Sequence, residues 1–131
     1  YNCIYSAGYG IQFYTDSDGK LIVWIGNAAG FSPAAFRSTN AVPTTTWTHF
    51  ALVRDTANST LTWFINGTAN GQTTSFTTDI IEIDPATYKH TIGTYESGTY
   101  GFNGYIDEFR ITHKARYTSN FTAPAKEFFN K

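Results

Sequence analysis

The sequence predicts an all-β fold of antiparallel strands, arranged as a sandwich or a barrel. Three observations predict it. Short apolar runs recur with Gly, Asn and Asp between them, and no segment sustains the 3.6-residue period of a helix. Aromatic residues make up 18% of the chain and Thr is frequent, an enrichment that suits a pleated surface. Turn signals fall roughly every eight to twelve residues, with no alternation of strand and helix patterns.

The elements follow in order. A first hairpin is expected over 10–26. Ile11, Phe13 and Tyr14 lead into Asp16-Ser17-Asp18-Gly19, and the segment 20–25 returns. Asp-Gly at the tip supplies the positive φ that a tight turn needs. The stretch 27–46 is looser, with Phe31 and Phe36 as anchors and a strand near 35–39. Residues 47–55 read as a central strand covered on both sides. Trp47, His49, Ala51 and Val53 share one face, and Phe50 and Leu52 the other. After a turn at 55–59, Leu61, Trp63 and Ile65 alternate with Thr60, Thr62 and Phe64 up to Asn66-Gly67. Trp47 and Trp63 are expected in the core, and His49 as a satisfied interior residue. A further strand is expected over 71–77. Residues 80–88 are ambiguous, because Pro85 opposes a central strand. A short strand covers 90–95. A last long strand covers 104–113, with Tyr105, Phe109 and Ile111 on one face.

Composition excludes some functions. The formal net charge is −1, and the basic residues are scattered; Arg110, Lys114 and Arg116 are the nearest to a cluster. A nucleic-acid surface would show a basic stripe, so none is expected as a partner. The longest apolar run is Leu21-Ile22-Val23-Trp24-Ile25, far short of the ~18 residues that span a bilayer, so no membrane insertion is expected. Cys3 is the one cysteine and makes no internal disulfide. The 131 residues suit one domain, 1–131, with no internal repeat. The absence of Met makes it read as part of a longer chain.

Two segments carry a resemblance. Trp47-Thr48-His49-Phe50-Ala51-Leu52-Val53-Arg54 is followed by Leu61-Thr62-Trp63-Phe64-Ile65-Asn66-Gly67. Later, Gly104-Tyr105-Ile106-Asp107-Glu108-Phe109-Arg110-Ile111 is followed by Ala115-Arg116-Tyr117 and Phe121-Thr122-Ala123-Pro124. In this order they resemble the laminin-G-like, concanavalin A-like jelly-roll family. The continuation at 115–121 resembles copies in bacteriophage structural and tail proteins. The resemblance implies a two-sheet antiparallel jelly-roll sandwich. Family members usually carry one or two strands before the position where this sequence starts. The N-terminal strand is therefore expected to lie outside the sequence or to come from a neighbouring chain.

The family hosts lectins, hydrolases and adhesion modules, so chemistry must be read from residues. Glycoside hydrolysis needs two carboxylates facing one bond. The related hydrolases carry Glu-x-Asp-x-x-Glu or Glu-x-Asp-x-Glu on one strand. Here Glu82-Ile83-Asp84 runs into Pro85 without the third carboxylate. Asp107 and Glu108 are adjacent and would face opposite sides of a strand. The chain is not expected to be an enzyme. Relatives of this fold hold calcium with hard oxygen donors, and Asp16, Asp18 and Asn27 are the candidate ligands. Asp-Ser-Asp-Gly also suffices as a hairpin tip without metal, and no cofactor is required. His49, His90 and His113 lack metal-ligand spacing.

Sugars stack their C–H faces on aromatic rings while polar neighbours bind their hydroxyls. Tyr95, Tyr100 and Phe102 flank a Gly-rich loop beside Asn103 and fit that pattern. The expectation is a non-catalytic binding module with a surface glycan or other subunits of an assembly as partners. It would sit outside a cell or on a virion, on a phage tail or bacterial surface protein. It would act as a homo-oligomer or part of a larger assembly, with avidity from repeated copies. The alternatives are a structural domain cementing an assembly and, further off, a glycoside hydrolase.

Overall fold

In the computed structural model, residues 1–8, 10–27, 30–31, 36–77 and 88–126 are described, with backbone alone at 27, 30 and 31. Their strands are β1 (Asn2–Ala7), β2 (Ile11–Thr15), β3 (Lys20–Asn27), β4 (Gly30–Phe31), β5 (Phe36–Ala41), β6 (Phe50–Asp55), β7 (Thr60–Ile65), β8 (Thr68–Thr73) and β9 (His90–Ile92). No helix occurs among the described residues. The chain forms two compact units, Tyr1–Arg37 with Thr78–Ile106 and Ser38–Thr77 with Asp107–Lys131.

The first unit holds the antiparallel path β4-β3-β2-β1-β9. The expected hairpin is β2–β3, in register from Ile11 opposite Ile25 to Thr15 opposite Leu21. Asp16 closes its tip. One carboxylate oxygen accepts the N–H groups of Asp18 (2.8 Å) and Lys20 (3.0 Å), and Gly19 takes the left-handed φ of 73°. β1 lies between β2 and β9. Cys3, Ile4, Tyr5 and Ser6 are consecutive yet all buried, so both faces of β1 are covered. With Leu21, Ile22, Val23 and Ile25 they form this unit's core.

The second unit holds the antiparallel sheet β6-β7-β8. Asn66 and Gly67 join β7 to β8 with φ of 49° and 80°, the paired left-handed geometry that an Asn-Gly hairpin favours. β7 is the central strand, and Leu61 through Ile65 are all buried. Trp63 is fully buried, as expected.

Several expectations are corrected. The segment 47–55 is not a central strand among the described residues: β6 begins at Phe50 and is an outer strand of the sheet they form. Trp47 is not core but 72% exposed. The reason lies opposite. The N–H of Asn66 donates to the His49 carbonyl at 2.7 Å, and there β7 turns away, so no strand among the described residues faces Trp47 and Thr48. The same tight turn starts β8 at Thr68 rather than at 71. Residues 104–113 form no strand. Glu108 takes a left-handed φ of 53°, and Oδ1 of Asp107 accepts its N–H at 2.8 Å, a local bond that competes with a ladder. Tyr105, Phe109 and Ile111, expected along one face of that strand, are all exposed. The short strand near 90–95 is confined to β9, and 80–87 lies outside the described residues.

Candidate functional site

The aromatic loop belongs to the first unit and is built as a tight, bonded turn. The Gly98 N–H donates to the Tyr95 carbonyl (2.8 Å), and the Tyr95 N–H donates to the Thr99 carbonyl (3.0 Å). Gly98 supplies the left-handed residue with φ 79°. The Thr94 hydroxyl donates to the carbonyls of Tyr95 and Thr99, and the hydroxyls of Ser97 and Thr99 pair at 2.8 Å. Three backbone bonds fasten the loop to β1 and to the end of β9. The Cys3 N–H donates to the Tyr100 carbonyl (2.7 Å), that of Phe102 to Gly93 (2.8 Å), and that of Gly93 to Ile4 (2.9 Å).

Tyr100 stands at the centre of this site. Its φ of 55° is unusual for a bulky residue and is held in place by the bond to Cys3. The residue is 57% exposed, yet its ring is steadied by T-shaped contacts with Tyr95 and Tyr14, each at 6.4 Å between centroids. Phe102 is half-buried, with its ring edge where a Cβ on Gly104 would sit. Asn103 is exposed beside it. The structure thus brings Tyr95 and Tyr100 together, and Phe102 and Asn103 continue the same loop.

Tyr14 is the member that sequence reasoning did not include. It is buried beneath Tyr100, and its hydroxyl donates to Oε1 of Gln12 at 2.7 Å. Burial, and the neighbouring Cys3 and Tyr95, push its ionisation upward, so it stays a neutral phenol. Burial likewise pushes the Cys3 thiol up to about 11, which keeps it protonated and unreactive. No local signal ties Tyr14 to a loop most of the chain away. The link is made by the β1–β2 register, which sets Cys3 opposite Tyr14.

The candidate calcium ligands are placed differently. Both carboxylate oxygens of Asp16 are engaged, one by the tip N–H groups and the other by the Arg37 guanidinium at 2.7 Å. The guanidinium at that distance balances the charge of the Asp16 carboxylate. Asp18 is exposed at the tip. Asn27 ends β3, and its side chain lies outside the described residues. No group of three His, Cys, Asp or Glu able to hold a metal occurs among the described residues.

A family model described as the concanavalin A-like lectin/glucanases superfamily, of laminin-G type, matches residues 2–120. No curated protein and no solved structure matches the chain significantly.

Proposed function

The chain belongs to the concanavalin A-like lectin/glucanases superfamily, and from that premise we propose that it is a non-catalytic module that binds a surface glycan through the Tyr95–Asn103 loop. All-β architecture in two antiparallel sheets agrees with that family and suits either a binding or a structural module. The observation that carries the glycan reading is Tyr100. A half-exposed ring, held on a bonded turn with hydroxyls and an amide alongside, needs little reordering when a sugar stacks on it. The site is shallow, so useful affinity would come from repeated copies, as on a phage tail, virion or bacterial surface. Binding needs no metal in this reading, and the broken carboxylate pattern at 82–85 supports a role without catalysis.

A glycan array probed with the full chain, coupled to a multivalent carrier, tests the proposal. Binding is expected to fall at least tenfold with Tyr100→Asn, which removes the ring and tolerates the left-handed backbone. An array without signal, with or without calcium, would reject it. A second reading is a structural domain that joins subunits of an assembly. The exposed Trp47 and Ile111 of the second unit favour it. That reading predicts that particle stability, not glycan retention, is lost when the domain is deleted.

A further inference from the structure

Glycine follows asparagine three times in the chain, at Asn66-Gly67, Asn70-Gly71 and Asn103-Gly104. An Asn-Gly pair is open to an internal reaction. The glycine backbone nitrogen attacks Cγ of the asparagine, the side-chain amide nitrogen leaves as ammonia, and a five-membered succinimide closes. Water then opens the ring at either carbonyl and leaves an aspartate or an isoaspartate. Glycine favours the step because no Cβ obstructs the approach or narrows the backbone angles it needs. In a folded chain two conditions decide it. The asparagine side chain must swing over the next peptide group, and the glycine N–H must not be tied up in a hydrogen bond.

The fold separates the three pairs. Oδ1 of Asn66 accepts the His49 N–H at 3.0 Å, which tethers the side chain away from its own backbone. The turn opposes the attack as well. The φ angles of 49° and 80° are those of a type I′ turn, whose first residue has ψ of about +30°. That angle points the Gly67 nitrogen away from the Asn66 Cβ, and Gly67 is buried. Asn70 is half-buried in β8, and its Oδ1 accepts the Asn40 N–H at 2.8 Å. Asn103 differs on every count. Asn103 and Gly104 are both exposed and lie outside any strand. Among the described residues, neither the Asn103 side chain nor the Gly104 N–H has a hydrogen-bond partner.

We propose that Asn103 is a site of spontaneous deamidation, which turns a neutral amide of the Tyr95–Asn103 loop into a carboxylate as the protein ages. Each event adds one negative charge to a chain whose formal net charge is −1. The isoaspartyl product also lengthens the main chain by one methylene group before Gly104. The Tyr100 carbonyl and the Phe102 N–H precede this point and are bonded to Cys3 and Gly93, so the loop changes in charge and exit path while its rings stay placed. The reaction needs only water, and it does not depend on what the loop binds.

The test incubates the folded full chain at pH 8 beside the same chain in urea. Peptide mass spectrometry follows the conversion of each asparagine, and enzymatic methylation detects isoaspartate. In the folded chain Asn103 is expected to convert about tenfold faster than Asn66 or Asn70, since each of those must first break a side-chain hydrogen bond. In urea the three rates are expected to converge, because the three pairs share the same chemistry. Asn103→Gln, at an exposed position, should remove the fast conversion and leave the melting temperature unchanged. Conversion of Asn66 or Asn70 as fast as that of Asn103 in the folded chain would overturn the proposal. So would an Asn103 that stays intact when folded while the unfolded chain converts. The readout is covalent, so a glycan array without signal would reject the binding role and leave this result standing.

Discussion

Nη2 of Arg37 lies 2.7 Å from Oδ2 of Asp16, whose side chain is almost wholly buried at the tip of the β2–β3 hairpin. Arg37 itself is partly exposed, so the pair adds modest Coulomb energy. The larger effect is that the Asp16 carboxylate closes the turn through two N–H groups.

Asp16→Ala is therefore expected to cost about 2–4 kcal/mol in urea unfolding, since hydrogen bonds to a charged group contribute about 1.5–3 kcal/mol. Asp16→Asn keeps one accepting oxygen and should cost less. Calcium is expected to leave the melting temperature unchanged. A rise of several degrees on adding calcium, abolished by Asp16→Asn, would show that the carboxylate serves the ion instead.

Gly67 makes a second prediction. Its φ of 80° disfavours any side chain, and a Cβ there would overlap the Phe121 carbonyl oxygen. Gly67→Ala is expected to destabilise by at least ~2 kcal/mol, combining left-handed strain of about 1–2 kcal/mol with displacement of the 117–121 segment. Hydrogen exchange at the Phe121 amide should accelerate in this variant. An unchanged exchange rate would mean that the segment does not depend on the close approach.

His49 sets a pH dependence. Burial, and then the charge of Arg110, hold its ionisation below the ordinary 6.5. Below that value the unfolded chain takes up a proton that the folded site resists. Stability therefore rises with pH through this range and is fully present above it. Urea midpoints are expected to be level above about pH 7 and to decline as the pH falls below 6.5. His49→Gln should flatten that decline, and an identical slope in the variant would assign it to other groups.

Cys3 is fully buried, and its thiol is pushed up to about 11. Native protein at pH 8 is expected to react with a thiol reagent at least a hundredfold more slowly than the urea-unfolded chain, as burial and a protonated sulfur both withhold the thiolate. Rapid native labelling would show that β1 opens locally.

The parts that were legible in the sequence are those encoded by neighbours along the chain. Asp-Ser-Asp-Gly specifies a turn through side-chain bonds and a positive φ within a few residues, and Asn-Gly through paired positive φ. Each turn then sets the register of its two strands, so β2–β3 and the β7 strand with its buried Trp63 could be read directly. The aromatic loop was legible for the same reason, because Tyr95, Tyr100, Phe102 and Asn103 are close in sequence.

Alternation of apolar residues, by contrast, shows only that a segment could be a strand. Whether it becomes one depends on a partner for its N–H and C=O groups, and that partner is distant in sequence. Trp47 keeps its alternating position but is exposed, because the opposite strand turns at Asn66. Residues 104–113 alternate too, yet bend at Glu108 where Asp107 offers a local acceptor. The tertiary structure alone decided that β9 pairs with β1, that Tyr14 lies under Tyr100, and that Asn120 accepts the Ala69 N–H. Turn chemistry is local and acts through adjacent residues, whereas strand pairing and site assembly depend on contacts that form only when distant segments meet.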